Sequence, residues 1–355
     1  QTRRVRIASS LGVLVEDVGL TYVTYTQPGI SRVRSGLRFR YIAPTGKAIT
    51  SKEVLSRIQT LAIPPAWSDV WICPVANGHL QAVGRDARGR RQYRYHPLWR
   101  TGHDAAKFGD LLNVARALPA LRRRVVQDLA DRQLTRQRVL ATVVRLLETT
   151  LIRVGNEEYA RENHSYGLTT FEDRHAIVDG AKIRFEFRGK SGKYHVVDVD
   201  DVRLARIVRQ CQDLPGQRLF QYIDASGTRH HIASEDVNAY LHEIGGHDFT
   251  AKDFRTWMAT VTALEILRKA GPPKSQSVAV RTVADCMRSV ARLLGNTPAI
   301  CRKSYVHPGV IEKYVAGELE DMCRAQSGIV SLGLATAERT AVAFLRNLRK
   351  SSVES

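Results

Sequence analysis

Ile183-Arg184-Phe185-Glu186-Phe187-Arg188-Gly189-Lys190-Ser191-Gly192-Lys193-Tyr194-His195-Val196-Val197-Asp198-Val199 decides the fold class. Ile183, Phe185 and Phe187 alternate with Arg184, Glu186 and Arg188, the two-residue period of a strand with one buried face. Gly189-Lys190-Ser191-Gly192 supplies a turn and Tyr194 to Val199 the returning strand, so the segment predicts a hairpin. Its surroundings read as helix. Thr135 can cap a helix that places Val139, Leu140, Val143, Leu147 and Leu151 on one face and stops near Arg153, before Gly155. From about Ser234 the helical pattern returns. Thr250 and Asp253 open a helix that runs to about Lys269, and another spans about Ser277 to Leu294 and stops at Gly295. Thr297-Pro298 starts a short one, and a last helix covers about Ala337 to Lys350.

Working toward the N-terminus, the pattern becomes strand-rich. Leu37, Phe39 and Tyr41 alternate with Arg38 and Arg40, and Pro44-Thr45-Gly46 reads as a turn. Thr50-Ser51-Lys52-Glu53 has the form of a capping box for a helix to about Arg57. Further strands are expected at Asp69 to Cys73 and His79 to Val83. Gly84 to His96 is basic, and Pro97 to His103 reads as a connector. The expected fold is therefore α+β: a small β-rich N-terminal domain over residues 1–103 and a larger, mainly helical domain over 104–355 that carries the hairpin.

The length of 355 residues suits about two domains. A hydrophobic share of 43% with 25% charged residues is that of a folded protein. No apolar run approaches the ~18 residues of a membrane span, and no apolar stretch follows Gln1-Thr2-Arg3-Arg4 to suggest a secretory signal. Lys and Arg number 54 against 35 Asp and Glu, a formal charge of +19. That excess suits a polyanionic partner such as a nucleic acid, or an anionic membrane surface, and says nothing about chemistry. Five scattered cysteines with no CxxC pair signal neither a disulfide framework nor a zinc knuckle.

There is no GxxxxGK[ST], GxSxG or HExxH motif and no acidic metal cluster, which argues against a nucleotide-driven motor or a metal nuclease. A basic protein can still transfer phosphoryl groups if cations neutralise the phosphorane and a side chain attacks it. Cys301-Arg302-Lys303-Ser304-Tyr305-Val306-His307-Pro308 puts a tyrosine at the end of a short helix among cations. Nearby positive charge would lower the phenol from its ordinary value near 10. Tyr305 taken alone reads more readily as a partly buried structural aromatic, as any single one of the chain's 12 tyrosines does. Arg153 at a helix break, Arg255 in the first turns of a helix, and Lys190 at a hairpin tip each have an equally ordinary surface reading.

Taken in order, Arg153, Lys190, Arg255, Asn296 and Tyr305 resemble the active-site series of type IB DNA topoisomerases, of the small poxviral and bacterial kind. Local strings agree. Arg153-Val154-Gly155-Asn156 through Tyr159, with Glu162-Asn163 and Gly167-Leu168-Thr169-Thr170, resembles the first-arginine segment. Phe187-Arg188-Gly189-Lys190 resembles the lysine hairpin, Lys252-Asp253-Phe254-Arg255-Thr256-Trp257 the second-arginine helix, and Ser304-Tyr305-Val306-His307-Pro308 the nucleophile segment. In the first third, Arg85, Arg88, Arg90, Arg91, Gln92, Tyr93 and Tyr95 resemble the DNA-contacting strand, and Tyr159 would join them from the catalytic side.

The resemblance implies a C-shaped clamp on duplex DNA, with Tyr305 attacking one strand to leave a 3′-phosphotyrosyl link. Arg153, Arg255 and Asn296 would stabilise the phosphorane, and Lys190 would protonate the departing 5′-oxygen. It also implies relaxation of supercoils without ATP, metal or cofactor, and a monomeric, cytoplasmic, nucleoid-associated bacterial enzyme. Asn296 stands where poxviral and eukaryotic members carry His, so it can donate a hydrogen bond but cannot become cationic. Asn156 stands where the poxviral enzymes carry Lys, which argues against a shared cleavage sequence. Two other readings stay open. A tyrosine recombinase shares the catalytic set, but usually has His where this chain has Lys252 and a helical domain in front. An architectural DNA-binding protein explains the charge but not the ordered catalytic residues.

Overall fold

The quoted segment folds as the expected hairpin. The computed structural model describes residues 19–36, 38–87, 89–99, 108, 110–246, 249–324 and 333–351. Its contacts divide the chain into two units, 1–109 and 110–355.

The first unit is built on β1 (Ile30–Ser35), β2 (Arg38–Ile42), β3 (Ser68–Ile72), β4 (Leu80–Arg85) and β5 (Arg91–Tyr95), with α1 (Lys52–Thr60) between β2 and β3. All neighbours are antiparallel, in the order β2-β1-β3-β4-β5. Leu37, which the sequence reading placed in β2, lies outside the described residues. Ile30, Ile58, Val70, Ile72 and Ala82 form the core under α1. Arg57 pins that helix to the sheet by donating to Gln81 Oε1 at 2.7 Å and to the Cys73 carbonyl at 2.7 Å. Buried Gln81 is satisfied in turn by the carbonyls of Ala76 and Gly78. The expected capping box shifts by one residue. Ser51, not Thr50, is the N-cap, and its hydroxyl accepts from the Val54 amide. This moves Glu53 out of reach of the reciprocal bond.

The second unit contains α2 (Leu111–Leu129), α3 (Arg136–Thr150), α4 (Glu157–Asn163), the antiparallel sheet β6 (Ala176–Asp179), β7 (Lys182–Arg188) and β8 (Tyr194–Asp200), α5 (Val202–Gln212), and the short pair β9 (Gln221–Ile223) and β10 (Arg229–His231). Then come α6 (Ser234–Gly245), α7 (Ala251–Ala270), α8 (Gln276–Leu294), α9 (Pro298–Ser304), α10 (Pro308–Val315), α11 (Leu319–Cys323) and α12 (Thr336–Ser351). The fold is thus α+β with a β-rich N-terminal unit and a helical C-terminal one. No helix among the described residues is long and apolar enough to cross a membrane.

Helix α7 runs through the middle, against α2, α3, α8 and α12. Phe254, Trp257, Ala259, Val261, Ala263, Leu264 and Leu267 bury nearly its whole circumference, as a central helix requires. It starts at Thr250 and Asp253 as expected, with the Asp253 carboxylate accepting from the Thr250 amide at 2.7 Å and from its hydroxyl at 2.8 Å. Helix α3 departs from expectation. It ends at Thr150, with Leu151 in the left-handed region at φ 54°, so Arg153 lies beyond the helix rather than in its last turn.

A buried polar knot joins α12 to this centre. Glu338, 3% exposed, accepts from both Arg122 Nη atoms at 2.7 and 2.9 Å, from Trp257 Nε1 at 3.0 Å and from the Ala335 amide. Glu148 takes Arg122 Nε at 2.6 Å. Glu338→Ala strips the acceptor from three groups at once. It is expected to lower unfolding free energy by about 2–4 kcal/mol, read as a lower urea midpoint in far-ultraviolet circular dichroism. An unchanged midpoint would mean that the knot contributes nothing net.

Candidate active site

Arg153 is presented by an extended strip that leaves α3 at Leu151. The strip is held by main-chain bonds: the Leu168 amide donates to the Arg153 carbonyl at 2.9 Å and the Thr169 amide to the Val154 carbonyl at 2.6 Å. Gly167 makes the approach possible, since a Cβ there would sit 2.5 Å from the Arg153 carbonyl oxygen. Arg153 Nη2 donates to Asn296 Oδ1 at 2.6 Å.

Asn296 owes its place to a helix ending. Gly295, at φ 58°, closes α8 with the paired bonds of a Schellman turn, Gly295 N to Arg292 O and Asn296 N to Ala291 O. Thr297 then caps α9 through the Ile300 amide, with Pro298 at its first position, as expected. Helix α9 ends at Ser304, and Tyr305 follows with its amide on the Cys301 carbonyl at 3.0 Å.

Arg255 is 4% exposed, far from the solvent-facing site that a first-turn arginine suggested. Its Nη1 donates to the Leu151 carbonyl and its Nη2 to the Leu294 carbonyl at 2.7 Å. These are the free carbonyl ends of α3 and α8, where helix dipoles favour a cation. One guanidinium therefore ties together the helix ends that precede Arg153 and Asn296. Its Cζ lies 5.4 Å from the centre of the Tyr305 ring.

Burial would push the Tyr305 phenol up, but the nearby Arg255 and Arg153 charges outweigh it, and the phenol sits below the ordinary tyrosine value. A weaker polar contact with Asn296 acts in the same direction, although Asn296 Nδ2 has no hydrogen bond of normal geometry. Burial, aided by Arg153, lowers the Arg255 guanidinium to about 10, so it stays charged at neutral pH. Arg255 Nε and Asn296 Nδ2 are both buried donors with no acceptor among the described residues. A phenol drawn toward its anion, two cations and spare buried donors are what nucleophilic attack on a phosphodiester requires.

The structure brings Arg153, Arg255, Asn296 and Tyr305 together. No hydrogen bond or ion pair among the described residues ties Lys190 to them: it opens the turn between β7 and β8 and is exposed.

The family model for the catalytic core of eukaryotic DNA topoisomerase I matches residues 97–327. The chain belongs to the type IB DNA topoisomerases. The bacterial DNA topoisomerase IB N-terminal domain matches residues 38–86. DNA topoisomerase 1B of Acanthamoeba polyphaga mimivirus is 33% identical over 294 residues, covering 81% of this chain and 87% of the relative. DNA topoisomerase 1B of vaccinia virus (strain Copenhagen) is 23% identical over 77% of this chain and 84% of the relative. DNA topoisomerase 1 of rabbit fibroma virus is 24% identical over 65% and 70%.

In the N-terminal unit of this topoisomerase, the candidate DNA-contact residues split between two faces of β5. Arg91, Tyr93 and Tyr95 share one face by the two-residue alternation. Tyr93 and Tyr95 are exposed and stacked with centroids 6.1 Å apart, and Arg91 lies over Tyr25. Gln92 is on the other face and donates to Asp86, which also takes Arg90. Arg85 bonds the Gly89 carbonyl at 2.9 Å. Arg88 lies outside the described residues. Tyr159 is exposed on α4, its amide capped by Asn156.

Sequence reasoning missed Thr260. It is fully buried on α7, donates to the Tyr305 carbonyl at 3.2 Å and accepts from the His307 amide at 3.2 Å, so it clips the backbone on both sides of Val306. A buried helix threonine has no local signature, because its partners lie 45 and 47 residues away. Thr260→Val keeps the volume and removes both bonds. It is expected to slow strand cleavage roughly ten- to a hundredfold by loosening the backbone at Tyr305, with DNA affinity unchanged. Single-turnover cleavage beside a binding titration measures this, and equal loss in both assays would count against a positioning effect.

Proposed function

We propose that this topoisomerase relaxes supercoiled DNA through one covalent intermediate on Tyr305. The phenol loses its proton to water, and the phenolate oxygen attacks a backbone phosphorus, forming the tyrosyl O–P bond at the 3′ side as the bond to the 5′-oxygen breaks. Arg153, Arg255 and Asn296 stabilise the added negative charge on the phosphorane. Lys190 gives a proton to the departing 5′-oxygen, a step worth roughly 10²–10⁴ in rate. The free end rotates, and the 5′-hydroxyl then attacks the phosphotyrosine, returns its proton and releases the enzyme. The link conserves the phosphodiester energy, so this scheme calls for neither ATP nor a metal.

The observation that carries this reading is the position of Tyr305 beneath Arg255 and beside the Arg153–Asn296 pair. In the same proposal the two units close on duplex DNA as a C-shaped clamp. Residues 1–103 would position the duplex through Arg85, Arg88, Arg90, Arg91, Gln92, Tyr93 and Tyr95, with Tyr159 reading from the catalytic part, 104–355. The enzyme would act as a monomer on the bacterial nucleoid. The deciding experiment incubates the protein with positively and negatively supercoiled plasmid, with EDTA and without ATP, and quenches with SDS. Relaxation of both signs with a 3′-linked adduct is the expected result. Binding without relaxation or adduct would refute it, and an adduct without relaxation would favour strand exchange.

A further inference from the structure

His195 belongs to none of the motifs above, yet it sits between two of them. It pairs across the hairpin with Phe187, and the two rings stack with centroids 5.2 Å apart and planes 17° apart. A Cβ on Gly189 would lie 2.7 Å from His195 Cδ2, and one on Gly295 would collide with His195 Cε1. Gly189 has φ −92° and ψ −168°, a conformation open to any residue, so the imidazole alone explains the missing side chain there. Gly189 precedes Lys190, and Gly295 precedes Asn296. The ring is therefore the packed contact between the lysine hairpin and the α8 ending.

We infer that His195 is a positioning residue: its ring, wedged between Gly189 and Gly295, fixes the Lys190 hairpin against the Asn296 turn and so sets where the Lys190 ammonium meets the phosphate. The inference rests on the proposed role of Lys190 as the acid for the 5′-oxygen. It also explains how an exposed lysine with no hydrogen-bond or ion-pair partner among the described residues can act reproducibly: its backbone is located by the wedge. The wedge works as a neutral ring. Burial holds His195 below the ordinary histidine value, and Arg153, Lys193 and Arg255 around it act the same way. Its Nε2 is buried with no hydrogen-bond partner among the described residues, and none of these stabilises a proton there.

The test uses duplexes with one cleavage site, mapped beforehand by SDS trapping, carrying either the normal 5′-oxygen or a bridging 5′-sulfur at the scissile phosphate. A thiolate leaves without a proton, so sulfur relieves the need for a general acid and for nothing else. Wild type, Lys190→Ala, His195→Ala, His195→Phe and Gly189→Ala are compared in single turnover. His195→Ala and Gly189→Ala are expected to cleave the oxygen duplex about 10²-fold more slowly and to recover most of that loss on sulfur, as Lys190→Ala does. His195→Phe keeps a ring in the wedge and is expected to stay within about tenfold of wild type. Normal cleavage of the oxygen duplex by His195→Ala would overturn the inference. So would equal slowing on both duplexes, which would place the defect in the fold or in Asn296. Sulfur rescue of Lys190→Ala but not of His195→Ala overturns the wedge alone. No rescue of Lys190→Ala removes the acid role of Lys190 and the inference with it.

Discussion

Tyr305→Phe is expected to bind duplex DNA like the parent and to form no covalent adduct, with relaxation reduced on the order of 10⁴-fold or more. The phenyl ring would still fill the space beneath Arg255, and the backbone bonds of residue 305 to Cys301 and Thr260 do not involve its side chain. The change therefore removes the hydroxyl with its polar contacts to Arg255 and Asn296, and leaves ring and backbone in place. SDS-trapped adducts and timed plasmid relaxation read the two effects together. Relaxation within a hundredfold of wild type would move the nucleophile to another hydroxyl.

Arg255→Ala is expected to slow cleavage by about 10²–10³ and to cost roughly 2–3 kcal/mol of stability. Both effects come from one side chain. Its charge faces the Tyr305 ring, while its Nη atoms satisfy the carbonyls of Leu151 and Leu294. Removal also returns the phenol toward higher pKa, since Arg255 is the larger of the two charges that lower it. Cleavage that depends on the phenolate rises with pH up to the phenol pKa, so the rising limb of the variant should move to higher pH. Arg255→Lys restores charge but not the two-pronged fork, and should recover rate less than a point charge alone would predict. A variant that melts earlier yet cleaves at the parental rate when folded would reduce Arg255 to a structural tie.

Much of this site was legible because its parts carry short-range marks. The Gly295 stop, the Thr297-Pro298 start and the Thr250–Asp253 pair fix where helices begin and end, and these junctions hold Asn296, Tyr305 and Arg255. What escaped depends on contacts remote in sequence. Burial of Arg255 follows from two helix ends converging on it, whereas arginine is by composition a surface residue. The left-handed Leu151 has no sequence mark either, since leucine rarely adopts that conformation. The candidate DNA-contact strand reads as one basic run, but its alternation sends Gln92 and Arg94 away from Tyr93 and Tyr95. Asp86 and the Ala62 carbonyl then occupy the first two. Thr260 and His195 were invisible for the same reason: each acts on a segment that is its neighbour only after folding.

The Glu338 knot has a consequence for the order of synthesis. Arg153 and Arg255 leave the ribosome well before Tyr305, and Glu338, the acceptor for Trp257 on the helix that carries Arg255, comes after the nucleophile. A growing chain therefore acquires its two buried-site arginines first, the Tyr305 phenol next, and the brace of its central helix after both. A DNA-breaking enzyme made in this order carries its active-site residues before the brace that secures them, which limits the time that a partly folded chain can cut the DNA around it.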